Sequence, residues 1–311
     1  MKIGIDLGGT TMSVGVVSDK NEIIAKKEIE TICSDGADKI IERMSQLVQQ
    51  VMNQVDKTQI SHIGIGCPGM LDRSAGRVLY SNNLGWENIE ISEKIRQIFK
   101  IPVYIENDAN CAALGEYIVG SGKDVNTMIM ITLGTGIGGG IIIDNKLYRG
   151  KSGNSNILGH MLMVSDGLLC TCGRKGCWEA YASGSALIRM ANQKAEECKE
   201  SELSKYKELD HSLNGKNIFL AIHNGDKAAC QVFEQYIAYV AEGITDIVNI
   251  FEPQMIVIGG GISQQGEFML NPIRQLVEKN VYCGLDAMPI ITTSCLGNDA
   301  GIIGASCLNE Y

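Results

Sequence analysis

This 311-residue sequence lacks the features of several protein classes. It contains no run of 18 uninterrupted apolar residues, so it predicts no membrane-spanning helix. Its net charge is −9, and it has no cluster of lysine and arginine. Both features argue against a nucleic-acid partner, because such binding depends on neutralising phosphates. Residues 1–6 are too short and too polar to be the apolar region of a signal peptide. We therefore expect a soluble, cytoplasmic protein that binds neither membrane nor nucleic acid.

The sequence also lacks low-complexity segments. Its 311 residues are enough for two domains, but no linker rich in proline, serine or charge separates them. Hydrophobic residues make up 45% of the chain and charged residues 20%, a balance that favours an ordered fold over disorder. A boundary between two domains must therefore lie in structured chain.

Glycine, by contrast, is abundant and forms two similar patterns. Residues 3–7 alternate apolar side chains as a strand does, meet a glycine and threonine turn at 8–11, and lead into a second strand at 14–17. The same sequence of strand, glycine turn and strand recurs at 128–143. Two related lobes are the simplest explanation of this repetition.

Helices and strands alternate along the rest of the chain. Apolar residues at helical spacing run from Ile40 to Val55, and aspartate or serine before them, at Asp35 or Ser34, is suited to cap that helix. The alternation predicts a mixed α/β protein. Further strands are predicted at 63–66, 103–105, 255–258 and 289–293, further helices at 92–99, 109–119, 265–280 and after 299, and mainly helical structure over 178–250.

The glycine turns have the composition of an anion site. Glycine lets the backbone curve so that successive N–H groups point into one concavity, and threonine hydroxyls add donors for phosphate. Asp6, just before the first turn, is placed to hold Mg²⁺ through water. One glycine turn alone is weak evidence because glycine hairpins are commonly structural. Two turns and a third glycine cluster at 259–261 favour nucleotide binding, although neither the Rossmann nor the P-loop fingerprint is matched.

An Asn-Asp pair stands at the end of a predicted strand, where open α/β sheets bind ligands. Asp108 is therefore a candidate general base, with Asn107 beside it. Aspartate is also a favoured residue at the beginning of a helix, and the sequence alone favours an N-cap role for Asp108; the two roles are compatible. Glu106 is predicted to form a salt bridge or to lie at the surface.

One imidazole and three thiols fall within residues 160–177, with glycines that allow tight turns. His160, Cys170, Cys172 and Cys177 form a donor set that zinc prefers in structural sites. Free cysteines are often buried as small hydrophobic residues, but three of them within eight residues are not typical of core packing. The remaining cysteines are predicted to be ordinary reduced thiols: Cys33, Cys67, Cys111, Cys198, Cys230, Cys283, Cys295 and Cys307.

Together these residues resemble the ROK family of sugar kinases, within the actin-like, hexokinase-like ATPase fold. The zinc segment and the Asn-Asp pair are specific to this family, whereas the glycine turns belong to the wider fold. The resemblance covers essentially the whole chain and rests on Ile5-Asp6-Leu7-Gly8-Gly9-Thr10, Cys67-Pro68-Gly69, Glu106-Asn107-Asp108-Ala109-Asn110, Leu133-Gly134-Thr135-Gly136-Ile137-Gly138-Gly139-Gly140, the segment 160–177, and Ile258-Gly259-Gly260-Gly261.

The resemblance implies a two-lobed, ribonuclease H-like α/β fold with an inter-lobe cleft and a zinc-binding insertion. We expect an N-terminal lobe of residues 1–117 plus 299–311 and a C-terminal lobe of residues 118–298, which includes the zinc segment 160–177. A homodimer is also expected.

The resemblance further implies ATP-dependent transfer of a phosphoryl group to the 6-OH of a hexose, with Asp108 as the base. Residues around the sugar are then Gly69, Asn107, Asp108, His160 and Glu179. His160 also binds the structural Zn²⁺, together with Cys170, Cys172 and Cys177. The residues expected around ATP and Mg²⁺ are Asp6, Gly8, Gly9, Thr10, Thr11, Gly134, Thr135, Gly136, Gly259, Gly260 and Gly261.

The chain departs from the family pattern just before His160. Relatives read Ala-Gly-Glu-x-Gly-His there, and the glutamate accepts hydrogen bonds from sugar hydroxyls near C1 and C2; here Ile157 takes its place. An unpaired buried hydroxyl costs roughly 1–3 kcal/mol, enough to change sugar preference. Asn156 or Asn154 supplies the missing acceptor, the preferred sugar differs at C1 or C2, or the enzyme is a weak glucose kinase.

Glucose is the first candidate substrate, because residues 82–86, Asn-Asn-Leu-Gly-Trp, resemble the glucokinase branch. N-acetylmannosamine or another hexose is the alternative. A second class of hypothesis is a sugar-responsive repressor, which in this family carries an additional N-terminal helix-turn-helix domain; with the first glycine turn beginning at residue 8, we expect none here. A sugar-binding protein without turnover is the third hypothesis, which Ile157 keeps open.

Overall fold

The structure, a computed structural model, describes residues 1–154, 157–282 and 288–311. Asn156, one predicted acceptor, and Cys283, one predicted ordinary thiol, lie outside the described residues. None of the described helices combines the length and the apolar character that crossing a bilayer requires. The chain divides into two compact units, the first made of Met1–Met130, Gly139–Asn156 and Ser294–Tyr311, the second of Ile131–Gly138 and Ile157–Thr293.

The first unit is built on a mixed sheet in the strand order β3-β2-β1-β4-β8, beside a small antiparallel sheet in the order β5-β6-β7. Strands β1, β2 and β3 pair antiparallel, whereas β4 pairs parallel with both β1 and β8. The strands are β1 (Lys2–Leu7), β2 (Thr11–Val17), β3 (Ile23–Glu30), β4 (Ile63–Cys67), β5 (Met70–Asp72), β6 (Arg77–Ser81), β7 (Trp86–Ile89) and β8 (Val103–Asn107), and the helices between them are α1 (Gly36–Met52), α2 (Ile91–Phe99) and α3 (Asp108–Ile118).

A second sheet repeats this strand order as β11-β10-β9-β12-β13, with the third, second, first, fourth and fifth strands side by side. The identical order agrees with the predicted repetition of strand, glycine turn and strand, and the mixed α/β class is confirmed. These strands are β9 (Met128–Leu133), β10 (Ile137–Ile143), β11 (Lys146–Leu147), β12 (Met255–Gly259) and β13 (Ile290–Thr293), and the remaining helices are α4 (Glu179–Ala182), α5 (Gly184–Glu197), α6 (Glu202–Asp210), α7 (Gly215–His223), α8 (Lys227–Phe251), α9 (Glu267–Asn280) and α10 (Asp299–Ser306).

Helix α1 shows how apolar spacing produces the core of the first unit. Its residues at positions i, i+3, i+4 and i+7, among them Ile40, Met44, Leu47 and Val51, are all buried, as predicted. They pack in one cluster with the apolar residues of β1, β2 and β4. Burial of this face holds α1 on the sheet, whereas its beginning is weakly defined: Asp35 is the N-cap, but its side chain makes no capping hydrogen bond.

Helix α10 approaches its neighbours backbone to backbone. A methyl group at Gly304 would lie 1.7 Å from the carbonyl oxygen of Cys111 in α3, and one at Gly64 would lie 1.7 Å from that of Ala305. A methyl group at Gly301 would lie 2.7 Å from the carboxyl carbon of Asp6. The C-terminal helix is therefore seated directly behind the end of β1 and beside α3, where no side chain fits.

Sequence patterns located the predicted strands and helices to within three residues but missed five strands. Strand β3, the β5-β6-β7 sheet and strand β11 were not predicted. Much of β3 is exposed, and its polar residues resemble those of a surface loop. The strands of the small sheet have three to five residues each, too few for a periodic signal.

We predict that Gly304→Ala lowers the free energy of unfolding by about 1–3 kcal/mol, because the added methyl group must push α10 away from α3. Urea denaturation followed by circular dichroism measures the change. Gly215→Ala is the matched control, since a methyl group there has no neighbour within 4 Å, and its effect should stay within about 0.5 kcal/mol. Equal effects of the two substitutions would contradict the packing argument.

Candidate functional site

The first glycine turn connects β1 to β2 and is closed by its own backbone. The N–H of Gly8 donates to the carbonyl of Thr11 at 2.9 Å, and the carbonyl of Thr10 accepts from the N–H of Thr31 at 2.8 Å. The side chains of Thr10 and Thr11 are exposed. Gly9 faces the backbone of Asn83, where a methyl group would lie 3.3 Å from the carbonyl oxygen. The turn thus presents two hydroxyl groups on a fixed backbone.

Asp6 stands at the end of β1, just before this turn. Burial and, second to it, the negative charge of Asp108 raise the pKa of Asp6 to about 7, although Lys26 opposes the shift. Burial also raises the pKa of Asp108, against the hydrogen bonds that favour its charged form. Two buried carboxyl groups with raised pKa values, one of them raised in part by the charge of the other, can share a proton or hold a divalent cation. The structure therefore brings together the predicted cation-binding and base residues.

Helix α3 begins one residue earlier than predicted, and its cap is Asn107, with Asp108 as the first helical residue. The side-chain oxygen of Asn107 accepts from the N–H groups of Ala109 at 3.0 Å and Asn110 at 3.3 Å. Asp108 Oδ1 also accepts from Ala109, at 3.0 Å. These bonds fix both side chains at the helix N-terminus, and a side-chain hydrogen bond from Asn107 favours the charged form of Asp108.

Glu106 stabilises the N-terminus of helix α3. Its side chain is 1% exposed, and Oε2 accepts from Arg73 at 2.9 Å and from Arg149. Oε1 accepts from the N–H of Asn107 at 2.9 Å and from the amide of Asn110 at 3.0 Å. Of the two predicted roles, salt bridge or surface group, the first is correct. A buried carboxylate with four donors holds the Asn107–Asp108 backbone in a fixed position.

Gly69 lies in the tight turn between β4 and β5 with φ +114, and a methyl group there would lie 2.2 Å from the carbonyl oxygen of Tyr80. This position requires glycine for steric reasons alone. Gly69 is exposed, so any contact with a sugar would be made by its main chain.

The second glycine turn, Gly134–Gly136, joins β9 to β10. Gly134 donates to the carbonyl of Gly136 at 3.1 Å and accepts from Gly184, the first residue of α5, at 2.7 Å. Thr135 is exposed. The cluster at 259–261 ends β12, and Gly260, with φ +87, packs against the end of β9, where a methyl group would lie 2.4 Å from the carbonyl oxygen of Leu133. The two predicted glycine sites of the second unit are therefore neighbours.

The four predicted metal ligands converge. The ligand atoms of His160, Cys170, Cys172 and Cys177 all lie within 4.8 Å of one another. The sulfurs of Cys172 and Cys177 are 3.7 Å apart, and His160 Nδ1 is 3.6 Å from the sulfur of Cys170. Tetrahedral zinc bonds imply about 3.8 Å between sulfurs and about 3.6 Å between sulfur and nitrogen. The donor set and its spacing fit a structural Zn²⁺ ion bound through Nδ1, which leaves His160 Nε2 for another partner.

Glu179 follows the metal cluster at the beginning of α4, and both of its oxygens have donors. Oε2 accepts from the N–H of Ile137 at 2.9 Å, and Oε1 accepts from the hydroxyl of Thr171 at 3.1 Å. The Cys170 sulfur lies 3.6 Å from Oε1. Glu179 therefore connects the metal segment to the second glycine turn.

Ile157, which takes the place of the glutamate in the family pattern, lies just before His160. The Ile157 side chain is 55% exposed and lies at the beginning of the short turn Leu158–His160. Asn154, one of the two amides predicted to replace the missing acceptor, is engaged elsewhere: it accepts from the N–H of Leu71 at 2.6 Å and donates to its carbonyl at 3.0 Å. Asn154 thus fastens its loop to β5.

Sequence reasoning missed three contributors to these sites. Arg73 and Arg149 had no motif, and their pairing with Glu106 depends on chain segments far apart in sequence. Thr171, between two metal-ligand cysteines, could have been noticed as a polar residue in a short chelating loop.

Comparison with known proteins places the chain in a family. The model of the ROK family matches residues 2–310. The chain belongs to the ROK family. It is 37% identical to the glucokinase of Streptomyces coelicolor over 99% of this chain and 97% of that protein. It is also 32% identical to the xylose repressor of Bacillus subtilis, over 98% of this chain and 76% of that protein.

Among solved structures, the chain resembles a ROK family glucokinase from Streptomyces griseus in complex with glucose and AMPPNP. The TM-score is 0.87 and the sequence identity 37%, over 99% of this chain and 98% of that one. The actin-like α/β fold expected from the sequence is therefore confirmed. The relatives include both glucokinases and xylose repressors, so the residues of the site must decide between a kinase and a repressor.

We predict that the purified protein contains an equimolar amount of zinc and that Cys172→Ser loses it, because a hydroxyl is a poor zinc ligand. Elemental analysis by mass spectrometry measures the metal. Cys198→Ser, which changes a half-buried thiol outside the cluster, is the control and should retain zinc. Wild-type protein without stoichiometric zinc would refute the proposed metal site.

Proposed function

We propose that this ROK protein is an ATP-dependent hexose kinase that transfers the γ-phosphoryl group of ATP to the 6-OH of glucose. The observation that carries the proposal is the full-length similarity to glucokinases at 37% identity, including one bound to glucose and AMPPNP. The chain also retains the carboxylates and glycine turns that this chemistry needs.

Asp108 is the base in this proposal. Phosphoryl transfer depends mainly on positioning and on neutralising charge, so the base has to orient the 6-OH and accept its proton as the phosphoryl group leaves ATP. Burial raises the pKa of Asp108, which makes it a stronger proton acceptor than an exposed aspartate. Asn107, fixed as the helix cap, offers its amide nitrogen to a sugar hydroxyl.

The glycine turns hold the phosphates of ATP. Their backbone N–H groups and the exposed hydroxyls of Thr10, Thr11 and Thr135 are donors for anionic oxygens. Gly8, Gly9, Gly134 and Gly136 keep the turns narrow, and the cluster at 259–261 flanks the adenosine. Asp6 holds Mg²⁺ through water, and the ion, when bound, neutralises charge on the phosphates.

His160 and Glu179 bind the sugar from the segment that holds the metal. His160, with Nδ1 directed at the Cys170 sulfur, would be held in place by a bound zinc ion, and its Nε2 would be free to meet a hydroxyl. Glu179 accepts from a hydroxyl near the anomeric carbon, and the main chain of Gly69 completes the set. Zinc has a positioning role in this scheme and takes no part in the chemistry.

A sugar-responsive regulator is the second candidate, supported by the 32% identity to a xylose repressor. That repressor is longer than this chain, which covers 76% of it. The retained pair of Asp6 and Asp108, with its raised pKa values, favours turnover over sensing, since sugar binding alone needs no carboxylate beside the phosphate turn.

We predict that the wild-type protein releases ADP from ATP and Mg²⁺ in the presence of glucose, and that Asp108→Asn retains glucose binding but loses at least about two orders of magnitude in kcat, the usual contribution of general base catalysis. A coupled ADP assay measures kcat, and titration calorimetry measures glucose affinity. Glu234→Gln, on the exposed face of α8, is the control for loss of a carboxylate. A near-normal kcat in Asp108→Asn would remove Asp108 from the mechanism.

We predict that Ile157→Glu raises kcat/KM for glucose about tenfold, because it restores an acceptor for a hydroxyl whose lack costs roughly 1–3 kcal/mol. ADP release with glucose, N-acetylglucosamine, N-acetylmannosamine, mannose, allose and fructose measures the preference, and Ile157→Gln tests whether a neutral acceptor is sufficient. No gain for glucose would show that this position does not set specificity. If the wild type turned over N-acetylmannosamine alone, N-acetylmannosamine would replace glucose as the proposed substrate.

A further inference from the structure

The Glu179 carboxylate lies directly on the second glycine turn. Its Oε2 accepts from the N–H of Ile137 at 2.9 Å, and a methyl group at Gly136 would lie only 2.4 Å from this oxygen. Its Oε1 is held by the hydroxyl of Thr171. Both carboxylate oxygens thus have hydrogen-bond partners within the protein.

This position conflicts with phosphate binding at the same turn. The proposed function places ATP phosphates at Gly134–Gly136, and phosphates and a carboxylate are both negative. Like charges a few ångströms apart repel, most strongly where protein excludes water. The N–H of Ile137 is also unavailable to a phosphate oxygen while Glu179 occupies it. Glu179 in this arrangement must weaken nucleotide binding.

The same carboxylate is the proposed acceptor for a sugar hydroxyl. A hydroxyl that donates to Oε2 of Glu179 competes with the N–H of Ile137 for this oxygen and takes over the compensation of its negative charge. Sugar binding would then release the Ile137 N–H and lower the repulsion at the glycine turn. One side chain would therefore make the affinity for nucleotide depend on sugar.

We infer that Glu179 couples the two substrates: without sugar it holds the Ile137 N–H and disfavours the nucleotide, and with sugar it releases the turn. The inference rests on the proposed function, which assigns Glu179 to the sugar and the turn to ATP. It predicts that sugar binds first and that sugar and nucleotide increase each other's affinity, as linkage requires. Such an order limits ATP hydrolysis when sugar is absent.

The coupling explains why the metal segment and the glycine turn are connected. Glu179 follows Cys177 by two residues, and Thr171 lies between Cys170 and Cys172. The metal cluster therefore fixes both the chain that carries the carboxylate and the hydroxyl that holds its second oxygen. A rigid segment of this kind defines two positions for one carboxylate better than a mobile loop does.

The test is the affinity for AMPPNP with Mg²⁺, measured by titration calorimetry without sugar, in the wild type and in Glu179→Gln. Glutamine retains an oxygen that can accept from Ile137 but removes the charge, so we expect the variant to bind AMPPNP roughly three- to tenfold more tightly than the wild type. A gain in affinity separates this role from a structural one, since damage to the turn would weaken binding. Glu234→Gln removes the same charge from the exposed face of α8 and should leave AMPPNP affinity unchanged.

A second measurement compares the affinity for AMPPNP with and without sugar. In the wild type, saturation with the sugar that supports the fastest ADP release should tighten AMPPNP binding, and in Glu179→Gln this ratio of affinities should approach one. Equal or weaker sugar-free binding in Glu179→Gln, or no effect of sugar in the wild type, would overturn the coupling while leaving the kinase proposal standing. Failure of the wild type to bind AMPPNP with or without sugar would instead overturn both.

Discussion

Helix α10 approaches β1, β4 and α3 with no side chain between the backbones, and this approach positions two carboxylates, the candidate cation ligand Asp6 and the candidate base Asp108. Gly301 faces the carboxyl group of Asp6, and Gly304 faces the backbone of α3, the helix that begins with Asp108. Close-packed interiors transmit displacement because they contain little empty volume to absorb it. A shift of α10 would therefore move Asp6 and Asp108 together, although no residue of α10 is assigned to a ligand.

Holding negative charge in this position costs stability. Burial raises the pKa values of Asp6, Asp108 and Glu106 above those of exposed carboxyl groups. For Asp6 the folded pKa is about 7 against an ordinary 3.8, so folding favours its protonated form, and this group makes the protein less stable as pH rises from 3.8 to about 7. A cation beside Asp6 would offset the cost by favouring the charged form. Glu106 differs because Arg73 and Arg149 already neutralise it.

The sequence predicted the periodic and the local features of this structure. The apolar spacing of α1, the repeated glycine turns and the metal ligands all depend on residues close in the chain, and each is where the pattern indicated. The cap of α3 was assigned less well, because Asn107 and Asp108 are both good capping residues. Both side chains accept from the N–H of Ala109, and the backbone conformation makes Asn107 the N-cap. Neither the Glu106 network nor the contact between Glu179 and Ile137 could be predicted, because each joins segments more than thirty residues apart whose proximity exists only in the fold.

The two glycine turns are similar in fold, but their neighbouring carboxylates come from different parts of the chain. The first turn follows Asp6-Leu7, whereas the second follows Thr132-Leu133, so the strand that enters the second turn offers a hydroxyl where the first offers a carboxylate. In the second unit the nearby carboxylate is Glu179, which comes from the end of the metal segment. A carboxylate within a buried strand is rigid and suits a cation that must stay in one place. A carboxylate at the beginning of the four-residue helix α4 can change its hydrogen-bond partner with little movement of the backbone. The metal segment therefore gives the second turn what the repeat alone does not, a carboxylate that accepts from the backbone beside the turn.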